Sequence, residues 1–133
     1  MSQDVFVLGV GMLRFGRMLD RGIKDLAREA LDAAVADAKI EPRCIEAVWF
    51  SNSGWGLNGG QDCIRGQVAL GSTALRGASM INVENACAGG ASALHCAFLS
   101  VASGASDVAL AIGVEKPCQK SRLRTLASLL GGP

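Results

Sequence analysis

Residues 88–103 carry no Asp, Glu, Lys or Arg, and this constrains the fold more than any other feature of the chain. Their apolar positions, Ala91, Leu94, His95, Phe98, Val101 and Ala102, fall at helical spacing. A helix on one face of an open sheet keeps a polar side toward water. A helix without charge on any side is covered all round. Nothing else in the 133 residues looks able to cover its second side. The expectation is therefore a layered structure, incomplete without a second half or a partner subunit. The segment is no membrane span. The uncharged stretch of residues 86–106 is dominated by Gly, Ser and Ala rather than by strongly apolar side chains.

The rest of the chain alternates. Residues 5–10 (Val-Phe-Val-Leu-Gly-Val) read as a buried strand. From Ile23, the residues Leu26, Ala27, Ala30, Leu31, Ala34, Val35 and Ala38 make an apolar face, with Lys24, Asp25, Arg28, Glu29, Asp32 and Asp37 opposite. Asp20 is the candidate N-cap of this helix, and Pro42 lies just past its end. Residues 47–50 form a second strand, 51–60 a Ser/Asn/Gly loop and 62–70 a weaker helix. A third strand covers 79–83, the uncharged helix 90–103 and a fourth strand 107–114. Strand and helix alternating in this way predict an α/β fold of βαβαβαβ order with a mostly parallel sheet. Residues 1–116 are expected to form one incomplete domain. Residues 117–133 follow as a divergent tail, in which Leu123, Leu126, Ala127 and Leu130 suit a short helix that Gly131, Gly132 and Pro133 cannot continue.

The chemistry-bearing candidate is Cys87. It follows the strand Ile81-Asn82-Val83, comes just before Gly89 and Gly90, and stands at the start of the uncharged helix. Unpaired N–H groups and the dipole at a helix N-terminus favour a thiolate, which attacks acyl groups. Backbone N–H groups at Cys87, Gly89 and Gly90 are candidates to support an oxyanion.

The other features carry less. The remaining cysteines, Cys44, Cys63, Cys96 and Cys118, bring the count to an odd five without C-x-x-C spacing. A disulfide framework or zinc site is not expected, and free thiols suit a reducing, cytoplasmic setting. No basic segment precedes an apolar run at the N-terminus, so no signal peptide is expected. A net charge of +1, few aromatics and no tyrosine argue against nucleic acid and against an anionic membrane surface. The lone His95 reads as a core histidine two turns from Cys87, too far to act as its base. Gly9-Val10-Gly11 lacks the third glycine of a dinucleotide loop, Arg14 standing in its place. Lys116, Lys120, Arg122 and Arg124 read as a solvated tail rather than as a phosphate site.

Residues 85–94 (Asn-Ala-Cys-Ala-Gly-Gly-Ala-Ser-Ala-Leu), followed by the strand that ends Gly113-Val114-Glu115-Lys116, resemble the thiolases. The branch most similar is that of the sterol-carrier-protein-type and acetyl-CoA acetyltransferase-like enzymes. The resemblance runs from the first strand to Lys116. It implies two stacked βαβαβ halves with the cysteine-bearing helix buried between their sheets. It implies Cys87 as the nucleophile, coenzyme A thioesters as substrates with no covalently bound cofactor, and pairing of subunits through the strand at residues 79–85. It also implies a base histidine and a second acid/base cysteine from a C-terminal half, for which this chain has no match. The leading expectation is thiolase-type acyl transfer, thiolysis or condensation, completed by that half. A non-catalytic subunit and a decarboxylating ketoacyl synthase are the alternatives.

Overall fold

A computed structural model describes residues 4–75 and 77–130. Three strands, β1 (Ala47–Ser51), β2 (Ser79–Val83) and β3 (Ala109–Gly113), form an all-parallel sheet in the order β2-β1-β3. Ala47 aligns with Ser79 on one side and Ala109 on the other, and Ser51 with Val83 and Gly113. The C-terminal ends of all three strands thus lie level along one edge. The helices are α1 (Ile23–Ala38), α2 (Trp55–Gly59), α3 (Arg65–Leu70), α4 (Gly89–Ala102) and α5 (Arg122–Leu129).

Successive side chains of β1 point to opposite faces, and this divides the layers. Phe50 meets α3 at Gly66, where a Cβ would come within 2.7 Å of the Phe50 Cβ. Ser51 meets α4 at Gly89. One face therefore carries α1 and α3 over Val48 and Phe50, the other α4. The core is on the first face: Ala27 and Leu31 of α1, Val48 and Phe50 of β1, Ala69 and Leu70 of α3, and Ile112 of β3. Burying Leu31, Val48, Phe50 and Leu70 stabilises by about 1.5–3 kcal/mol each, and this fixes the central strand.

α1 forms where its periodicity predicts. Its cap is Gly22 rather than Asp20, because the Asp25 carboxylate reaches back to the Gly22 N–H at 2.9 Å. α3 begins at Arg65 instead of residue 62. Ile64 stands before it in the left-handed region, φ 45°, which no helix interior tolerates. α5 confirms the short tail helix. Gly131, Gly132 and Pro133 lie outside the described residues.

Residues 5–10 are not a strand. The segment lies along α1 instead of joining the sheet: Gly9 and Gly11 press on the backbone of Ala30, Ala34 and Ala38. The Val10 N–H donates to the Asp37 carboxylate at 2.8 Å in place of a ladder carbonyl. Phe6, Val7 and Val10 are exposed.

α4 is buried only toward the sheet, through Gly89, Ala93 and Ala97. Leu94, Phe98 and Leu99 are 48–59% exposed on its outer side. The uncovered apolar face predicted from the missing charges is present.

Candidate active site

The site is built at the C-terminal edge of the sheet, where ligands of parallel α/β folds bind. β2 ends at Val83, and the chain turns through a 3₁₀ turn, Ala86–Ala88, into α4. Cys87 sits on this turn, two residues before the first residue of α4, and is exposed. Ala86 holds φ 44°, a left-handed conformation that costs a residue with a Cβ of order 1–3 kcal/mol. The cysteine therefore projects from a strained elbow between strand and helix.

Neighbouring groups hold the elbow. One Glu84 carboxylate oxygen accepts the Ala86 N–H at 2.6 Å and the Ser53 hydroxyl at 2.8 Å. Asn85 donates to Ser92 Oγ at 2.9 Å, across the turn that carries Cys87. Ser53, just past the end of β1, is tied in turn to β3. Its N–H and that of Gly54 donate to the Glu115 carboxylate, and the Asn52 side chain donates to the Val114 carbonyl at 2.7 Å. Beneath the elbow a Cβ on Gly89 would overlap Ser51 Oγ. Gly90 has open space above it, as at sites where a backbone must admit a ligand.

Glu84 is held below the ordinary carboxylate range, first by the Ala86 N–H, then by the Ser53 hydroxyl and in smaller part by the Arg65 charge, against a desolvation that raises it. An open cleft of about 230 Å³ adjoins the elbow, lined by Asn52, Asp62, Ile64, Arg65, Asn82 and Glu84 among others. Among the described residues no three His, Cys, Asp or Glu side chains gather as a metal site.

Three expectations change here. The Gly89 N–H donates to the Ala86 carbonyl, so it is not free to support an oxyanion in this conformation. His95 is no core histidine. It is exposed on the outer side of α4 with Leu94 and Leu99, because nothing among the described residues covers that side. Lys116 is no solvated tail group either, since its ammonium donates to the Arg21 carbonyl. The structure also adds Ser53, Glu84, Asn85, Ser92 and Glu115 to the surroundings of Cys87. Their one sequence signal is that polar residues follow each of the three strands.

Residues 5–129 match the family described as thiolase, N-terminal domain. The chain belongs to this thiolase family. The match runs past Lys116 through most of residues 117–133. An acetyl-CoA acetyltransferase of Methanocaldococcus jannaschii is 40% identical over 114 residues, covering 86% of this chain and 29% of that protein. A sterol carrier protein 2 of Gallus gallus is 36% identical, covering 91% of this chain and 22% of its own length. The benzoylsuccinyl-CoA thiolase subunit BbsB of Thauera aromatica is 35% identical, covering 86% and 29%. The chain thus spans less than a third of each of these relatives. The structure of a priming β-ketosynthase from the R1128 polyketide pathway superposes with a TM-score of 0.55 at 23% identity, over 65% of this chain and 25% of that one. That likeness is one of fold. Among the described residues no helix is long and apolar enough to cross a membrane.

Proposed function

We propose that this chain supplies the nucleophile of a thiolase-type acyltransferase acting on coenzyme A thioesters, with Cys87 as the acyl carrier. The observation that supports it is the exposed Cys87 on a strained elbow at the C-terminal edge of a parallel sheet, at a helix N-terminus. In thiolysis the Cys87 thiolate adds to the 3-keto carbon of a 3-ketoacyl-CoA. The bond between C2 and C3 breaks, C2 takes a proton to leave as acetyl-CoA, and Cys87 keeps the shortened acyl group as a thioester. A second coenzyme A thiolate then takes that acyl group and frees Cys87. Condensation is the reverse. Gly90 leaves room for the thioester. The base and the second acid/base come from a second half, which also covers the Leu94, Phe98 and Leu99 face of α4. β2 is one of the two edge strands and exposes Ile81, and subunits pair along residues 79–85.

The test is acyl transfer. The 133-residue chain is incubated with acetyl-CoA and its peptides are analysed by mass spectrometry. The expected result is S-acetylation concentrated on Cys87 and lost in Cys87→Ala. Acetyl groups spread evenly over Cys44, Cys63 and Cys87 would remove the nucleophile assignment and leave a non-catalytic subunit. Turnover of acetoacetyl-CoA should need a second half bringing a histidine and a cysteine, each contributing about 10²–10⁴-fold. Robust thiolysis by the chain alone would show those partners unnecessary.

A further inference from the structure

The elbow is built around a residue that should not be there. Ala86 is left-handed although it carries a Cβ, and two of its neighbours, Glu84 and Asn85, anchor the turn through their side chains. Strain of this kind persists only where the surroundings over-determine it. Glu84 is the group that does so. Its Oε1 accepts the Ala86 N–H and the Ser53 hydroxyl at once, and the Ser53 hydroxyl also lies 3.4 Å from the Ala86 carbonyl. Ser53 is itself fixed by the Glu115 carboxylate through its N–H. The ends of all three strands are thereby linked in one chain of hydrogen bonds that terminates at the peptide before Cys87.

We propose that Glu84 is a positioning residue for Cys87: its carboxylate, braced by Ser53 and Glu115, holds Ala86 in the left-handed conformation that presents the thiol at the sheet edge. The inference rests on Cys87 being the acyl-carrying residue, and it extends that reading to what aims it. Glu84 acts through Ala86 and is given no contact with substrate. The charged groups around it are Arg65 of α3 and Asp62, which share the adjoining cleft, and Glu115 beyond β3.

The experiment separates positioning from folding. In the full chain the iodoacetamide labelling rate of Cys87 is measured relative to that of exposed Cys44, on the turn that leads into the start of β1, and S-acetylation by acetyl-CoA is followed in parallel. Glu84→Ala removes the acceptor and should lower the Cys87 to Cys44 ratio roughly tenfold, since the left-handed alanine loses its hold. Glu84→Gln retains an accepting oxygen, at about half the strength of a charged one, and should lose no more than about threefold. Adding Ala86→Gly, which adopts this conformation freely, should restore Glu84→Ala and erase the smaller gap between Glu84→Gln and the parent. If Glu84→Ala does not fold, the Glu84→Gln comparison with and without Ala86→Gly decides alone. A Cys87 ratio unchanged in Glu84→Ala overturns the proposal, as does a defect in either Glu84 variant that Ala86→Gly leaves in place. Loss of acetylation in the parent chain with the labelling pattern intact would instead defeat the acyl-carrier reading and leave the positioning result standing.

Discussion

Gly89→Ala isolates the contact on which the elbow rests. Gly89 is buried at the first position of α4, over the last residue of the central strand. A methyl group there would overlap Ser51 Oγ, inside the 3.0 Å that side-chain carbons do not cross, while the Ser51 Cβ would stand at an ordinary 3.5 Å. Overpacking of this kind costs about 1–3 kcal/mol. Alanine is a better helix former than glycine by up to ~1 kcal/mol, less at a first helical position. The net expectation is a loss of roughly 1–2 kcal/mol. Ser51→Ala removes the overlapping atom and keeps the Cβ that is already tolerated. In that background Gly89→Ala should be neutral or stabilising by up to ~1 kcal/mol, a coupling of roughly 1–3 kcal/mol between touching residues. Urea unfolding followed by the fluorescence of Trp49 and Trp55 reads this directly. With a slope of about 1–3 kcal/mol per M, the single variant should unfold roughly 0.3–2 M earlier and the double variant should recover. An equal cost of Gly89→Ala in both backgrounds would mean that α4 does not lie on Ser51, and that the elbow is supported elsewhere.

Folded protein should lose its Cys87 thiol to iodoacetamide before Cys96, which is partly covered within α4; slower labelling of Cys87 would contradict the helix-start placement. Glu84 is held ionised below the ordinary carboxylate range, so its contribution to the elbow is fully present at neutral pH and is lost only as pH falls through that lowered value. Labelling of Cys87 against Cys44 with a pyridyl disulfide, which reacts in acid, should show a step there that Glu84→Gln abolishes; a step at the usual glutamate pKa would refute the hydrogen-bond assignment. The exposed Leu94, Phe98 and Leu99, with Phe6 and Phe15, should make the isolated chain bind a hydrophobic dye or self-associate. Analytical ultracentrifugation showing a dye-silent monomer would mean that these residues are covered.

Much of the fold was legible because local pattern and tertiary burial agree. Residues 79–83 form a strand with the bounds read from the sequence, and the helix from Ile23 starts where its apolar face starts. The helix after Cys87 was legible for a different reason. The absence of charge in residues 88–103 predicts cover on both sides, and the structure supplies it on one. His95 shows the limit of that reading. Its position in the apolar stripe is correct, yet whether it is buried depends on what lies against Leu94 and Leu99, which no periodicity within the chain encodes.

Residues 5–10 and the surroundings of Cys87 failed to show for opposite physical reasons. The Val-Phe-Val-Leu pattern has strong strand character, but a strand exists only with a neighbour to take its hydrogen bonds. Asp37 of α1 takes the Val10 N–H, and the close approach of Gly9 and Gly11 to α1 holds the segment away from the ladder. Around Cys87 the deciding contacts join residues far apart in the chain: Ser53 to Glu84, and Ser53 to Glu115. Sequence spacing cannot bring these together. The parallel register does, because it sets the ends of β1, β2 and β3 level, and Ser53, Glu84 and Glu115, each just past a strand, then come within hydrogen-bond reach. Cys87 could be singled out from its own neighbours in sequence, since a thiol at a helix start is a local arrangement. The groups that aim it are a property of the sheet edge, so a chain with the same cysteine motif and apolar residues at 53, 84 and 115 would keep the elbow's outline and lose what holds Ala86 in place.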